Sequence, residues 1–136
     1  MATTNSDYTE NKIVDHVNGK TAWTMPAAVS LALFTTNPNF ETGAGGTEVT
    51  GGGYVRKALL WTAASGGATS NSTAASVWTA GTDITAGTAC TGWGVYDAAA
   101  AGNMLYGDAF GSTKTVGPSA GDTLTFAIGA ITYSTT

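Results

Sequence analysis

The N-terminal part of the chain has the helical period of apolar residues. The segment DYTENKIVDHVN places three of them on one narrow stripe, at Ile13, Val14 and Val17. Asp7 and Glu10 have the spacing of a capping box, and Gly19 stands where a helix commonly ends. We therefore predict an amphipathic helix over 7–18, which at about three turns is marginal alone and needs a surface to lie on.

Beyond Pro26 the pattern changes to short runs in which apolar and polar residues alternate, separated by Gly, Asn, Ser and Thr. The alternation is typical of antiparallel strands and predicts an antiparallel β-sandwich, jelly-roll-like or Greek key. The predicted strands span 28–35, 54–62, 75–79, 88–96, 103–110, 122–128 and 130–134. We expect the first to be buried on both faces and the last to be an edge strand available to a neighbour.

Glycine-rich and turn-rich segments connect these strands. The loop 36–53 is long for a compact domain, so it is either a binding loop or a flexible one. Residues 65–73 are predicted to form turns, and 97–102 a hairpin loop. Gly92 and Gly94 lie inside a predicted strand, where glycine marks a bulge or a place where a large ring packs closely.

Composition indicates one rigid domain with an uncharged surface. Only 10% of the 136 residues are charged, against about 25% in ordinary soluble domains. Four Trp, five Tyr and four Phe supply core material, which argues against disorder. The fold class is therefore all-β with one short N-terminal amphipathic helix. We expect a single structural domain over 1–136, with the helix at 7–18 and the sandwich at 27–136.

The charge balance excludes two classes of partner. The net charge of −4 argues against binding to nucleic acid or to an anionic membrane surface. No run approaches the roughly 18 apolar residues that span a bilayer, and the N-terminus lacks the pattern of a signal peptide. We expect a protein made in a cytoplasm and not exported by a cleaved signal.

The side chains that carry chemistry are too few for a catalytic or metal site. His16 is the only imidazole, so a hydrolytic triad has no second group to work with it. Cys90 is the only cysteine, which excludes an intrachain disulfide and leaves zinc without a ligand set. The aspartates stand isolated, and the glycine-rich segments lack the phosphate-binding motifs. We expect no enzyme, no cofactor and no metal.

The four tryptophans have two explanations. They are Trp23, Trp61, Trp78 and Trp93. In a chain this poor in large aliphatic residues we expect them in the core, because aromatic side chains dominate core burial. The alternative is that they stack on sugars, as in a carbohydrate-binding module.

Six blocks of the sequence carry a resemblance to a known family. They are ENKIVDHVNGKTA (10–22), VSLALFTTNP (29–38), GGTEVTGGGYVR (45–56), WGVYDA (93–98), GNMLY (102–106) and SAGDTLTF (119–126). In this order they resemble a family of small tailed-bacteriophage virion proteins, called tail-fibre or capsid-fibre proteins. The block 45–56 is the most specific. The resemblance spans nearly the whole chain and implies an oligomeric structural part of a virion, assembled in the host bacterial cytoplasm, with no catalytic residues.

Two positions in the particle are compatible with this resemblance. The first is a capsid decoration or cement protein that binds the head lattice as an oligomer, expected to be a trimer, and stabilises it. Its partners would be the major capsid protein and copies of this chain. The absence of a long repeated shaft favours this position. The alternative is a tail fibre or baseplate-associated subunit that binds other tail proteins and contacts the host surface.

Two segments are candidate interfaces in either position. One is the helical stripe Ile13, Val14 and Val17. The other is the end of the glycine-rich loop, formed by Gly51, Gly52, Gly53 and Tyr54. The stripe has a second explanation, since most amphipathic helices use such a stripe to cover their own sheet.

Overall fold

A computed structural model of the protein describes residues 3–24, 26–72 and 76–134. Its elements in chain order are β1 (Thr4–Asn5), α1 (Asp7–Val17), β2 (Val29–Thr36), β3 (Thr47–Glu48), β4 (Lys57–Leu59), β5 (Ala68–Ser70), β6 (Ser76–Thr79), β7 (Thr88–Tyr96), β8 (Met104–Val116), β9 (Thr123–Phe126) and β10 (Thr132–Ser134). The paired strands are antiparallel. The predicted all-β class with one short N-terminal helix is therefore confirmed. None of the helical residues in these ranges belongs to a helix long and apolar enough to cross a membrane.

The largest sheet has six strands and is built around the β7–β8 hairpin. β1 pairs with β8 at one edge, β2 pairs with β7, and β3 and β4 pair with different parts of β2. Two smaller sheets, β5 with β10 and β6 with β9, contribute side chains to the core on one face of the large sheet. The result is a sandwich in which the middle strands of the large sheet are covered.

Strand β2 is buried on both faces, as predicted. Leu31 and Leu33 point into the larger core, which also contains Trp78 and Trp93. Phe34 points to the opposite face and packs in a smaller cluster. Because side chains alternate across a strand, two separate apolar layers require apolar residues at consecutive positions.

The glycines of β7 make room for aromatic rings. A Cβ at Gly94 would lie 2.9 Å from a ring carbon of Phe34, which is closer than non-bonded carbon atoms pack. Gly92 lies beside the register shift between β7 and β8. Both interpretations of strand glycine therefore apply, close ring packing at Gly94 and a bulge next to Gly92.

Several predicted boundaries were wrong, because the elements concerned are too short or too polar to show a period. The predicted strand 54–62 contracts to β4, and the loop 36–53 contains β3. The stretch 65–73, predicted to form turns, contains β5. Threonine hydroxyls hold β5 against the preceding segment, since the hydroxyl of Thr69, in β5, hydrogen-bonds the hydroxyl of Thr62 at 3.1 Å.

The last three strands also differ in length. The strand predicted at 103–110 continues to Val116, because a bulge places residues 110–113 opposite Thr91 and the ladder then resumes. The strands predicted at 122–128 and 130–134 contract to β9 and β10. Strand β1, only two residues long, was not predicted. Ala75, the first residue of another predicted strand, lies outside the described residues, and that strand otherwise matches β6.

Candidate functional site

Helix α1 is fixed to β8 by hydroxyl groups at its first turn. The N-cap is Ser6 rather than Asp7, and its side chain accepts a hydrogen bond from the backbone N–H of Thr9. The hydroxyl of Thr9 donates to the carbonyl of Leu105 at 2.7 Å, and Ser6 donates to the same carbonyl at 3.0 Å. Gly19 ends the helix in the left-handed conformation, as predicted. The helix is thus held by polar contacts at one end.

The apolar stripe of α1 remains largely uncovered. Val14 is 58% exposed and Val17 is 77% exposed, and Ile13 is half-buried. Thr9 is the buried residue of the helix. The stripe therefore does not serve mainly to cover the protein's own sheet.

A surface groove of about 660 Å³ runs beside this stripe. We call it the α1 groove. Its lining residues are Thr3, Thr4, Asn5, Glu10, Ile13, Val14 and Ser134. They come from the edge strand β1, from one flank of α1 and from the end of β10, so the two ends of the described chain meet at one place. Val17 is not among the lining residues.

The second candidate interface is built into the fold. Gly51, Gly52 and Gly53 are exposed, yet their backbone packs against the turn at 82–85. A Cβ at Gly52, where φ is 66°, would lie 2.5 Å from the backbone nitrogen of Thr85. Only glycine fits such a site, because the conformation is left-handed and a backbone occupies the space. The glycines form a tight internal contact.

Tyr54, the remaining residue of that candidate interface, is part of an ionic network. Its hydroxyl donates to a carboxylate oxygen of Glu48 at 3.1 Å and accepts the backbone N–H of Leu33 at 2.9 Å. Burial raises the pKa of this phenol above its ordinary value, and the neighbouring carboxylate adds to the effect. The hydroxyl is therefore a neutral hydrogen-bonding group that ties the loop to β2.

Arg56 is the centre of this network. Its Nε and Nη2 donate to the two carboxylate oxygens of Glu48 at 2.8 and 2.7 Å, a bidentate pair. The Arg56 side chain is only 8% exposed and that of Glu48 27%. Burial alone lowers the pKa of Arg56, but Glu48 outweighs it, and the pKa stands above its ordinary value. The guanidinium is permanently charged.

The same guanidinium fixes the β7–β8 hairpin loop. It lies over the ring of Tyr96, 3.6 Å from the centroid, and Nη1 donates to the carbonyls of Ala98 and Ala101 at 3.2 and 2.6 Å. A smaller groove of about 330 Å³ lies above it, between the segment 48–56 and Ala99–Ala101. Within the most specific sequence block, 45–56, the side chains of Glu48, Tyr54 and Arg56 therefore make contacts inside the protein.

The remaining singled-out residues have structural surroundings. His16 is exposed, and its Nδ1 accepts the backbone N–H of Trp23 at 3.1 Å. Trp78 and Trp93 are fully buried, whereas Trp23 and Trp61 are partly buried against the core. In the described ranges, no three His, Cys, Asp or Glu residues are grouped as metal ligands would be.

The structure keeps the two predicted interfaces apart. Ile13 and Val14 line the α1 groove, and Tyr54 lines the smaller one. The residues that sequence reasoning missed are Glu48 and Arg56 as an ion pair, and Thr3 to Asn5 as one wall of the α1 groove. The pair had a signal, since both lie in the most specific block. The wall had none.

The class of the protein follows from comparison with known families. A family model described as podophage GP4 fiber I protein gp80 matches residues 4–134. The chain belongs to this family, and it is a virion structural protein of a tailed phage, of the tail-fibre type. No curated protein matches the chain.

Proposed function

We propose that this chain is a non-catalytic subunit of a phage fibre that acts only by contact between protein surfaces. The fibre assignment is supported by the family match, which extends over residues 4–134. The observation that carries the contact role is the uncovered stripe of α1, where Val14 and Val17 are the exposed members. Aliphatic side chains left in water beside a groove are typical of a surface that a partner covers.

The chemistry of the described side chains supports a role without catalysis. The single imidazole, at His16, accepts a hydrogen bond from the backbone N–H of Trp23. The thiol of Cys90 is fully buried, and burial raises its pKa to about 11, so it is protonated and inert at neutral pH. The buried Arg56 is occupied by Glu48 and two carbonyls. We propose no cofactor or metal.

Capsid decoration is the second candidate function. The observation in its favour is the low charge of the chain, 10% of its residues, because weak electrostatic repulsion lets identical copies pack densely on a lattice. In this position the partners would be the major capsid protein and further copies of the chain, arranged as a trimer. In both positions assembly would take place in the host cytoplasm.

The copy number in purified virions separates the two positions. Quantitative mass spectrometry gives the ratio of this chain to the major capsid protein. A fibre subunit is expected at a copy number far below that of the major capsid protein. A ratio near one, or a simple fraction such as one third, would establish decoration instead. Absence from purified virions would refute both positions.

A further inference from the structure

The α1 groove has an open strand edge along one wall. β1 is an edge strand of the six-stranded sheet. Its ladder with β8 pairs Thr4 with Gly107 and Asn5 with Tyr106, and the backbone N–H of Ser6 continues that ladder by donating to Leu105 at 3.0 Å. In an antiparallel ladder alternate residues direct their backbone groups to the partner strand. The N–H and C=O of Asn5 therefore point away from β8.

These backbone groups have no strand partner in the described ranges. Thr3, two residues before Asn5, lines the same groove, and the same alternation turns its N–H and C=O outward. Donors and acceptors repeated at every second residue are what an added strand pairs with. The backbone groups of this wall match the hydrogen-bond spacing of an extended backbone and not that of a helix.

The other wall of the groove determines which side chains fit against it. It is the flank of α1 that carries Ile13 and Val14, which offers an aliphatic surface to one residue of an added strand. Among the described residues that line the groove, Glu10 is the only charged one, and it is exposed at the first turn of the helix. A carboxylate at this place favours a cationic side chain in the occupant. The volume of about 660 Å³ lies within the roughly 300–1,000 Å³ of ligand-sized sites.

We propose that the α1 groove binds an extended segment of another virion protein by strand addition to β1. The segment places an aliphatic side chain against Ile13 and Val14, and a Lys or Arg side chain beside Glu10. The inference rests on the proposed function only for the source of the segment. A second copy is the poorer occupant, because two copies meeting through this groove would bring their Glu10 carboxylates together.

Photo-crosslinking in assembled virions tests the contact. The photoreactive residue p-benzoylphenylalanine is placed at Val14 or, as a matched control, at Ile128, since the two side chains are 58% and 60% exposed. After irradiation of purified virions, position 14 is expected to crosslink to one segment of a different virion protein at several times the yield of position 128. Equal yields, or a crosslink into a second copy of this chain, would overturn the proposal.

Hydrogen exchange tests the strand geometry. The amide of Asn5 is expected to exchange at least tenfold more slowly in virions than in the free protein, because an added strand would take up its N–H. An unchanged exchange rate in the peptide that contains residue 5 would show that the partner binds without adding a strand, and the proposal would fail.

Charge reversal tests the recognition of a cation. Glu10→Lys is expected to lower the crosslink yield from position 14 at least tenfold. The matched control is Asp7→Lys, because Asp7 lies in the same first turn but does not line the groove. If both variants crosslink equally, the role of Glu10 is refuted. For the chain that keeps Glu10, a normal virion copy number with no crosslink from position 14 would refute the groove alone, whereas absence from virions would refute the proposed function.

Discussion

Replacing Arg56 with methionine tests whether the buried ion pair holds the most specific block together. The variant leaves Glu48 without its bidentate partner and frees the carbonyls of Ala98 and Ala101. Methionine has nearly the length of the arginine stem, so the change creates little cavity. The main effect is therefore an uncompensated carboxylate in a mostly buried place.

The expected loss follows from the exposure of the pair. Removing one partner of a buried ion pair costs about 3–5 kcal/mol. Because the Glu48 side chain is 27% exposed, water can partly solvate it, which favours the lower end, about 3 kcal/mol. In the double variant Arg56→Met with Glu48→Gln the stranded charge is gone. We expect that variant to be more stable than Arg56→Met alone by about 1–2 kcal/mol.

Urea unfolding followed by tryptophan fluorescence measures these free energies. The matched control is Lys57→Met, the neighbouring cation. Its ion pair with Asp83, at 3.2 Å, joins side chains that are 27% and 25% exposed. Neither side chain of this pair is as buried as that of Arg56, so Lys57→Met should lower the free energy of unfolding clearly less than Arg56→Met. A loss below about 1 kcal/mol for Arg56→Met, or a double variant as unstable as the sum of both single variants, would refute the reasoning.

Three further changes test other parts of the fold. Gly94→Ala places a Cβ 2.9 Å from an aromatic ring and should lower stability by about 1–3 kcal/mol. Gly111→Ala, whose Cβ would meet no atom of the described residues within 4 Å, should leave the Tm nearly unchanged. Asn71→Ala removes two hydrogen bonds of 2.9 Å and should cost about 2–4 kcal/mol in urea unfolding, about 1–3 kcal/mol for the unpaired N–H of buried Ile131 and about 1 kcal/mol for the carbonyl of exposed Ala127. Burial raises the pKa of Cys90 from 9.0 to about 11, so the unfolded chain loses this proton first; stability should fall between about pH 9 and pH 11, and Cys90→Ala should reduce that fall.

The predictable part of the fold is the part with a clear period. The helix at 7–18 and the doubly buried β2 were recoverable, because three or more residues in each repeat the pattern of their element. Strands β1 and β3 were not, since two residues cannot show a period and their pairing depends on distant strands. The end of β8, GSTKT, has the composition of a polar turn. It belongs to a strand only because the ladder with β7 resumes after a bulge.

The candidate sites divide in the same way. The stripe on α1 was predictable from its helical period. The groove beside it was not, because its lining also includes Thr3 and Ser134, which are far apart in the sequence. The ion pair between Glu48 and Arg56 was hidden by the intervening glycines. Such glycines indicate a binding or flexible loop, whereas here Gly52 lies in the tight turn between Gly51 and Tyr54 that separates the two charged residues.

The contacts of the glycine-rich block and the openness of the α1 groove suggest a division between stability and assembly. In the block, the polar groups of Arg56 and Tyr54 form hydrogen bonds within the protein itself. Substitutions there should therefore lower stability first, and virion incorporation only as a consequence. At the groove, Val14 and Glu10 are exposed, and their substitution should change incorporation at nearly constant stability. Measuring both quantities for Arg56→Met and Glu10→Lys would separate the two roles. If both variants lost stability and incorporation in the same proportion, no such division would exist.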